Sequence, residues 1–278
     1  MPAVATGLRT VELLRFLPES KRTAELFAAL VPAAAASGLD VRDADTYRGG
    51  SDLLVLWGPG HPARFGPMLT QIGQGGHVLA WDLAYWDRFR KLRVSIDGAH
   101  PQAWVMRKNW PVSRFEADAV PRVSRWCPDG PILVAGIGEK ATVQYGADAV
   151  ARWEAAQVYA CLRRWNRPVL YRQKRGNGVV PPGATLRNAG TIDEALNGVS
   201  LVITYHSNVA VDAILSGIPA VCADGAAAAI CPSALPAFGD PQPVAPSLSR
   251  QFLANLAWFQ WAPSEAAACW SWVGALLA

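Results

Sequence analysis

Residues 199–224, VSLVITYHSNVAVDAILSGIPAVCAD, read as strand, turn, helix and strand without a break. Leu201-Val202-Ile203-Thr204 is a short β-branched apolar run, as expected of a strand buried on both faces. Tyr205, His206, Ser207 and Asn208 end it. From Val209 the apolar positions recur at helical spacing through Ala213 and Ile214, and Gly217-Ile218-Pro219 closes the helix with a glycine and a proline that cannot continue it. Ala220-Val221-Cys222 restarts an apolar strand. A short helix between two apolar strands is a βαβ crossover, which implies a parallel sheet.

The chemistry lies in the turn. Ser207 or Asn208 stands where a helix N-cap belongs, and the free N–H groups of the next turn point beyond the strand's carboxyl end. That arrangement makes an anion site at the edge where open α/β sheets bind ligands. The same residues also suffice as a plain helix cap. The local pattern leaves both readings open.

The segment YHSNVAVDAILSGIPAVC resembles the donor-site segment of GT-B glycosyltransferases, especially those of the capsule-polysaccharide and surface-glycan type. Those carry a strand, a small polar T-x-x-S turn, a helix with an acidic residue near its first turn, and a G-[VI]-P-[VA]-V close. Asp212 stands at the acidic position, and Gly217-Ile218-Pro219-Ala220-Val221 matches the close. The resemblance spans residues 165–225. It implies a helix start that faces the donor phosphates, with His206, Ser207, Asn208 and Asp212 as donor-binding residues.

Tyr171-Arg172-Gln173-Lys174 resembles the [YF]-[RK]-x-[HK]-P strand end of the same enzymes, with Lys174 in place of a histidine and Arg175 in place of the proline. Arg172 and Lys174 fall on one side of an extended strand. Two cations there suit a diphosphate. Gly136-Ile137-Gly138-Glu139-Lys140-Ala141-Thr142 lacks the glycine spacing of a Walker loop. By the resemblance it is the loop after the donor domain's first strand, which makes Gly138, Glu139 and Lys140 candidates for the floor of an interdomain cleft.

Composition frames this reading. The 278 residues are 51% apolar and 17% charged, which describes a folded chain with room for a core and excludes a disordered one. A formal charge of +4 permits an anionic partner without requiring one. Five scattered cysteines without CxxC spacing point to a reducing compartment and no structural zinc. The first residues lack the shape of a signal peptide, and no run of 18 apolar residues exists. The expected location is cytoplasmic, in a bacterium or a phage-infected host.

The N-terminal part alternates in the same α/β manner. Strands are expected at Leu8–Phe16, around Val41, at Asp52–Trp57 and at His77–Trp81, with helices at Ser20–Ala36 and Arg64–Gln71. Gly58-Pro59-Gly60-His61-Pro62 follows a strand's carboxyl end. It is either a tight turn or a substrate-facing loop in which Gly60 and His61 meet the acceptor. Residues 81–110 show little helical periodicity and are expected to be mostly loop. Within them Asp82, Asp97 and His100 are candidates for a general base or for holding an acceptor hydroxyl. A turn is the competing role of Asp97-Gly98. Twelve tryptophans is high usage, and aromatics interleaved with basic residues, as in YWDRFRKLR (85–93) and WVMRKNW (104–110), could stack sugars or unpaired bases while Arg and Lys hold phosphates. Core tryptophans beside a solvated basic face are the alternative.

Arg125–Gly130 reads as a linker. A strand at Pro131–Ala135, a helix from its N-cap Asp148 to Trp165, a strand at Pro168–Arg172 and a capped helix at Thr191–Gly198 follow. The expected organisation is a Rossmann-like acceptor domain over 1–128, a Rossmann-like donor domain over 129–246, and helices over 247–278 that pack back toward the first domain.

The fold expected is therefore α/β, with two Rossmann-like domains of GT-B type, parallel sheets and a deep cleft between them. The resemblance implies a glycosyltransferase that uses a nucleotide sugar, a UDP-sugar first among them. It needs no metal, because fixed positive charge stabilises the leaving diphosphate. Asp82, Asp97 and His61 are the catalytic candidates; Gly60, Trp81, Tyr85, Trp86 and His100 are the acceptor-binding ones. The acceptor is a hydroxyl, either of hydroxymethylpyrimidine in phage DNA or of a surface glycan. A non-catalytic nucleotide or nucleic-acid binding module and a GT-B epimerase remain as other classes. The assembly is a monomer or homodimer with no membrane span.

Overall fold

The computed structural model describes residues 7–16, 19–121, 123–138, 145–174, 179–187, 190–236 and 239–278. They form two units, Met1–Pro101 with Trp258–Ala278, and Gln102–Ala257.

The first segment runs β1 (Thr10–Leu14), α1 (Lys21–Ala36), β2 (Asp40–Ala44), β3 (Leu53–Trp57), α2 (Pro62–Gly73), β4 (His77–Leu83) and β5 (Leu92–Ile96). Ser20 caps α1 by accepting the Thr23 amide, and Leu26, Phe27, Leu30 and Ala34 bury one stripe of it. Leu14, Leu54, Leu56, Met68, Val78 and Ala80 make a core between sheet and α2. Residues 81–110 are mostly loop as expected, but strand β5 interrupts them. LRVSI alternates with period two, but Arg93 and Ser95 interrupt its apolar run, and all five residues are buried. It pairs antiparallel with β4, Asp82 opposite Arg93.

The second segment runs α3 (Ser113–Ala117), β6 (Ile132–Ala135), α4 (Ala147–Arg164), β7 (Val169–Arg172), β8 (Thr185–Leu186), α5 (Ile192–Leu196), β9 (Leu201–Thr204), α6 (Val209–Leu215), β10 (Ala220–Cys222) and α7 (Pro246–Ala257). Its sheet is parallel throughout, in the order β10-β9-β6-β7-β8. Val158 and Cys161 of α4 pack on Ile132, Val134, Val169, Tyr171, Leu201 and Ile203. Gly146, at φ +86°, precedes α4 as its cap, so Asp148 lies in the first turn instead of capping it.

Residues 102–128, expected in the first domain, belong to the second unit. The Arg125 amide donates to the Ser216 carbonyl, the Cys127 amide to Val199, and the Trp126 indole to Ser200. Arg114 donates to the Ala257 carbonyl. The linker residues thus have their polar groups satisfied by the second sheet's surroundings.

The C-terminal segment adds β11 (Gln260–Trp261) and α8 (Ala266–Leu277) to the first unit. β11 pairs antiparallel with β5, which gives the order β11-β5-β4-β3-β1-β2: four parallel strands extended by two antiparallel ones. The Trp270 indole donates to the Leu30 carbonyl, fixing α8 on α1. The expected C-terminal region is therefore split: α7 stays with the second unit and residues from 258 onward join the first.

Candidate functional site

In the second sheet the chain moves from β6 to β7 on one side and later returns through β9 on the other. The point where the order reverses lies between β6 and β9, and the crevice at the strands' carboxyl ends there is the ligand position of such sheets. Gly136-Ile137-Gly138 follows β6, Gln173-Lys174 follows β7, and Tyr205-His206-Ser207-Asn208 follows β9.

The loop after β6 is held from below. Its Ile137 amide donates to Glu154 Oε1 at 2.6 Å, and the Tyr171 phenol donates to Glu154 Oε2 at 2.9 Å. Burial, with the neighbouring carboxylate, pushes the Tyr171 phenol up. A Cβ on Gly136 would sit 2.4 Å from the Tyr171 hydroxyl, so only glycine lets the loop approach β7 this closely. A Cβ on Gly138 would meet the Lys174 side chain at 2.9 Å, which places the lysine stem across that glycine. Glu139 and Lys140 lie outside the described residues. Arg172, at the end of β7, donates to the Thr191 carbonyl.

At the turn after β9, Ser207 and not Asn208 does the capping: its Oγ accepts the Val209 amide at 3.4 Å, while the Asn208 side chain makes no cap bond. The Ser207 amide in turn donates to Thr204 Oγ1. Asp212 is half-buried in the first turn of α6. A Cβ on Gly225, which holds φ +99°, would meet the His206 carbonyl oxygen at 3.0 Å, so the loop after β10 packs closely on the loop after β9. Tyr205 stands edge-on to Trp153, with ring centroids 5.3 Å apart. Burial, reinforced by Asp224, pushes the nearby Tyr145 phenol up to about 12. The second unit therefore brings Gly138, Arg172, Lys174, His206, Ser207, Asn208 and Asp212 to one edge of one sheet.

The candidates of the first unit are dispersed. Asp82 Oδ2 accepts Arg93 Nη2 at 2.9 Å, and Arg93 Nη1 donates to His100 Nδ1 and to the Ala99 carbonyl. Asp82 and His100 thus share one buried arginine. Asp97 sits at the other end of β4, where Oδ1 accepts the Val78 amide and Oδ2 pairs with His77. Val78 and Asp82 are four residues apart on one strand, roughly 13 Å, so Asp97 does not share a site with Asp82. Its φ of +54° marks it as a turn residue.

His61 caps α2, its Nδ1 accepting the Ala63 amide at 3.3 Å. With Nδ1 accepting, the neutral ring carries its proton on Nε2. Trp81, Tyr85 and Trp86 are buried, with the Tyr85 and Trp86 amides donating to Gln260 Oε1. They belong to the core beneath β11 and offer no open face to an acceptor. Gly60, in the turn before α2, has no heavy atom within 4 Å of a built Cβ.

Glu154 escaped the reading of the sequence, although Val150, Glu154, Val158 and Cys161 share one helical face, the buried set of α4. An acid inside an apolar stripe was the available signal. Among the described residues no group of three His, Cys, Asp or Glu side chains could hold a metal ion, and no helix is long and apolar enough to cross a membrane.

No family model matches the chain, and no curated protein matches it. Among solved structures it is similar to the Thermosulfurimonas dismutans KpsC β-Kdo 2,4 transferase, at 10% identity over 88% of this chain and 89% of that one, with a TM-score of 0.51. The β-Kdo 2,7 transferase of the same organism's KpsC aligns over 97% and 98% at 12% identity and a TM-score of 0.49. At these identities the likeness is one of fold. The fold is that of GT-B glycosyltransferases, with two Rossmann-like units.

Proposed function

We propose that the protein transfers a sugar from a nucleotide-sugar donor to a hydroxyl of a saccharide acceptor, with the donor's diphosphate at the carboxyl edge of the second unit's sheet. The observation that carries this reading is that Gly138, with the Lys174 stem across it, and the Ser207-Asn208 helix start follow the two strands that flank the reversal point of that sheet, with Arg172 ending the next strand, β7. In the reaction the acceptor oxygen bonds to the donor's anomeric carbon as the bond from that carbon to the phosphate oxygen breaks. The diphosphate leaves with the bonding pair, and the acceptor hydroxyl gives up its proton to the carboxylate of Asp82. Arg172 and Lys174 stabilise the charge that grows on the leaving group, a task that fixed cations perform without reorganisation. Asp82 contacts the acceptor hydroxyl.

A saccharide acceptor is favoured over hydroxymethylpyrimidine DNA by one observation. Trp81, Tyr85 and Trp86 are buried, so these three rings are closed to base stacking, which leaves the exposed Phe89 and the part-exposed Trp104 and Trp110.

The test is nucleotide release from a panel of UDP-, GDP- and CMP-sugars, an activated Kdo among them, with oligosaccharide or modified DNA as acceptor. Acceptor-stimulated release is expected with the oligosaccharide. Arg172→Ala is expected to weaken donor binding about tenfold, the loss of one charge-assisted contact. A wild-type protein that binds no nucleotide sugar at all ends this reading.

A further inference from the structure

The first sheet also reverses its order, between β1 and β3. At the carboxyl ends of those two strands lies a cavity of about 130 Å³ lined by Leu14, Phe16, Glu19, Trp57, Arg64 and the start of α1. Arg64 is the unusual member. Its side chain makes no hydrogen bond or ion pair to any described residue, and its Nε is buried without a partner. Its guanidinium lies 4.8 Å above the Phe16 ring, and its Nη1 occupies the space beside Gly58 that a Cβ would fill, 2.5 Å away. Gly58 holds φ +67°, a conformation other residues rarely adopt. The turn thus accommodates the arginine.

The carboxylate and hydroxyl groups that line the cavity among the described residues are already engaged. Glu19 pairs with Arg15 at 3.1 Å. Ser20 and Thr23 bond each other at 2.8 Å, and Ser20 caps α1. Asp82 acts on Arg64 through space, but its own ion pair is with Arg93. A buried Nε–H without an acceptor carries a desolvation cost that a bound anion would offset. The aromatic walls, the single cation and the volume suit one ring-sized group bearing a negative charge.

We propose that this cavity receives an anionic substituent, carboxylate or phosphate, of the acceptor saccharide, with Arg64 as its specificity-determining contact. The proposal rests on the transferase reading for the word acceptor; the anion site itself stands on the geometry of the first unit.

The experiment titrates the full-length protein by NMR with glucose, glucuronate and glucose 6-phosphate, in wild type, Arg64→Lys, Arg64→Gln and, as a control outside this unit, Arg172→Ala. Glucuronate or glucose 6-phosphate is expected to bind at least tenfold tighter than glucose, and which of the two wins identifies the carboxylate or the phosphate. The preference is expected to vanish in Arg64→Gln, persist in weaker form in Arg64→Lys and stay intact in Arg172→Ala. Arg64→Gln is also expected to melt no lower than wild type, since it removes an uncompensated charge. Equal affinity for the charged and neutral sugars, an anion preference that survives in Arg64→Gln, or a clear fall in its melting temperature would each overturn the proposal. Nucleotide release run in parallel separates the two readings. Release stimulated equally by neutral and charged acceptors defeats the Arg64 assignment and leaves the transferase standing. An Arg64-dependent anion preference without nucleotide-sugar binding defeats the transferase and the word acceptor.

Discussion

The carboxylate of Glu154 accepts the phenol of Tyr171 at 2.9 Å inside the second unit, one oxygen bonded to the strand neighbour and the other to the Ile137 amide of the loop after β6. Glutamine would keep the shape but turn an NH₂ group toward one of the two donors. Glu154→Gln is therefore expected to cost about 1–3 kcal/mol, since a buried donor loses its acceptor. Tyr171→Phe, which removes the donor instead, is expected to cost ~1 kcal/mol. Urea unfolding of both variants checks the order; equal stabilities would mean that the carboxylate does not carry the loop.

Two glycines separate close approach from simple turn chemistry. A Cβ on Gly130 would fall 2.0 Å from the Gly198 carbonyl oxygen, a backbone atom that cannot swing aside, whereas Gly60 has open space around it. Gly130→Ala is expected to destabilise by roughly 2 kcal/mol or more. Gly60→Ala should stay within about 0.5 kcal/mol of wild type. Thermal melts of the pair decide it.

Asp52 accepts the amides of Arg9 and Thr10, each at 2.8 Å, and these bonds hold its carboxyl below its ordinary value of 3.8. A group whose value is lowered by folding adds stability above its unfolded value and loses it as pH falls through the folded one. Asp52→Asn is thus expected to melt below wild type at neutral pH, with the two curves converging as the pH drops under 3.8. A gap that stays constant down to acid pH would contradict the assignment.

Arg93 is buried and serves Asp82, His100 and the Ala99 carbonyl together. Arg93→Met leaves Asp82 with only the Leu83 amide and is expected to cost about 1–3 kcal/mol, less than a fully buried pair because Asp82 is partly solvated. Arg93→Lys restores charge without the fork and should recover part of that loss. Calorimetry of both variants measures the difference.

Much of the second unit was legible in local pattern. The run from Val199 to Asp224 announced β9, α6 and β10 because an apolar strand, a polar turn and a glycine-proline stop each act within a few residues. Thr191 and Glu194 formed the expected capping box for the same reason. β5 was missed because Arg93 and Ser95 are polar yet buried, a state that depends on partners elsewhere in the fold: Asp82 for one, the Gly98 carbonyl for the other.

The site of the first unit shows the limit most clearly. Asp82 and Asp97 both looked available, and nothing in their neighbours along the chain tells that β4 and β5 fold back so that the two lie at opposite ends of the hairpin. The sequence by itself determined where most of the longer strands and helices lie, β5 excepted, because periodicity, caps and turn residues act over a few positions. Only the tertiary structure decided which tryptophans are core, that residues 102–128 join the second unit, that Glu154 supports a loop, and that Arg64 faces a cavity without a bonded partner. Each of these depends on pairings between distant residues, and burial is settled by those pairings, not by the residue's own chemistry.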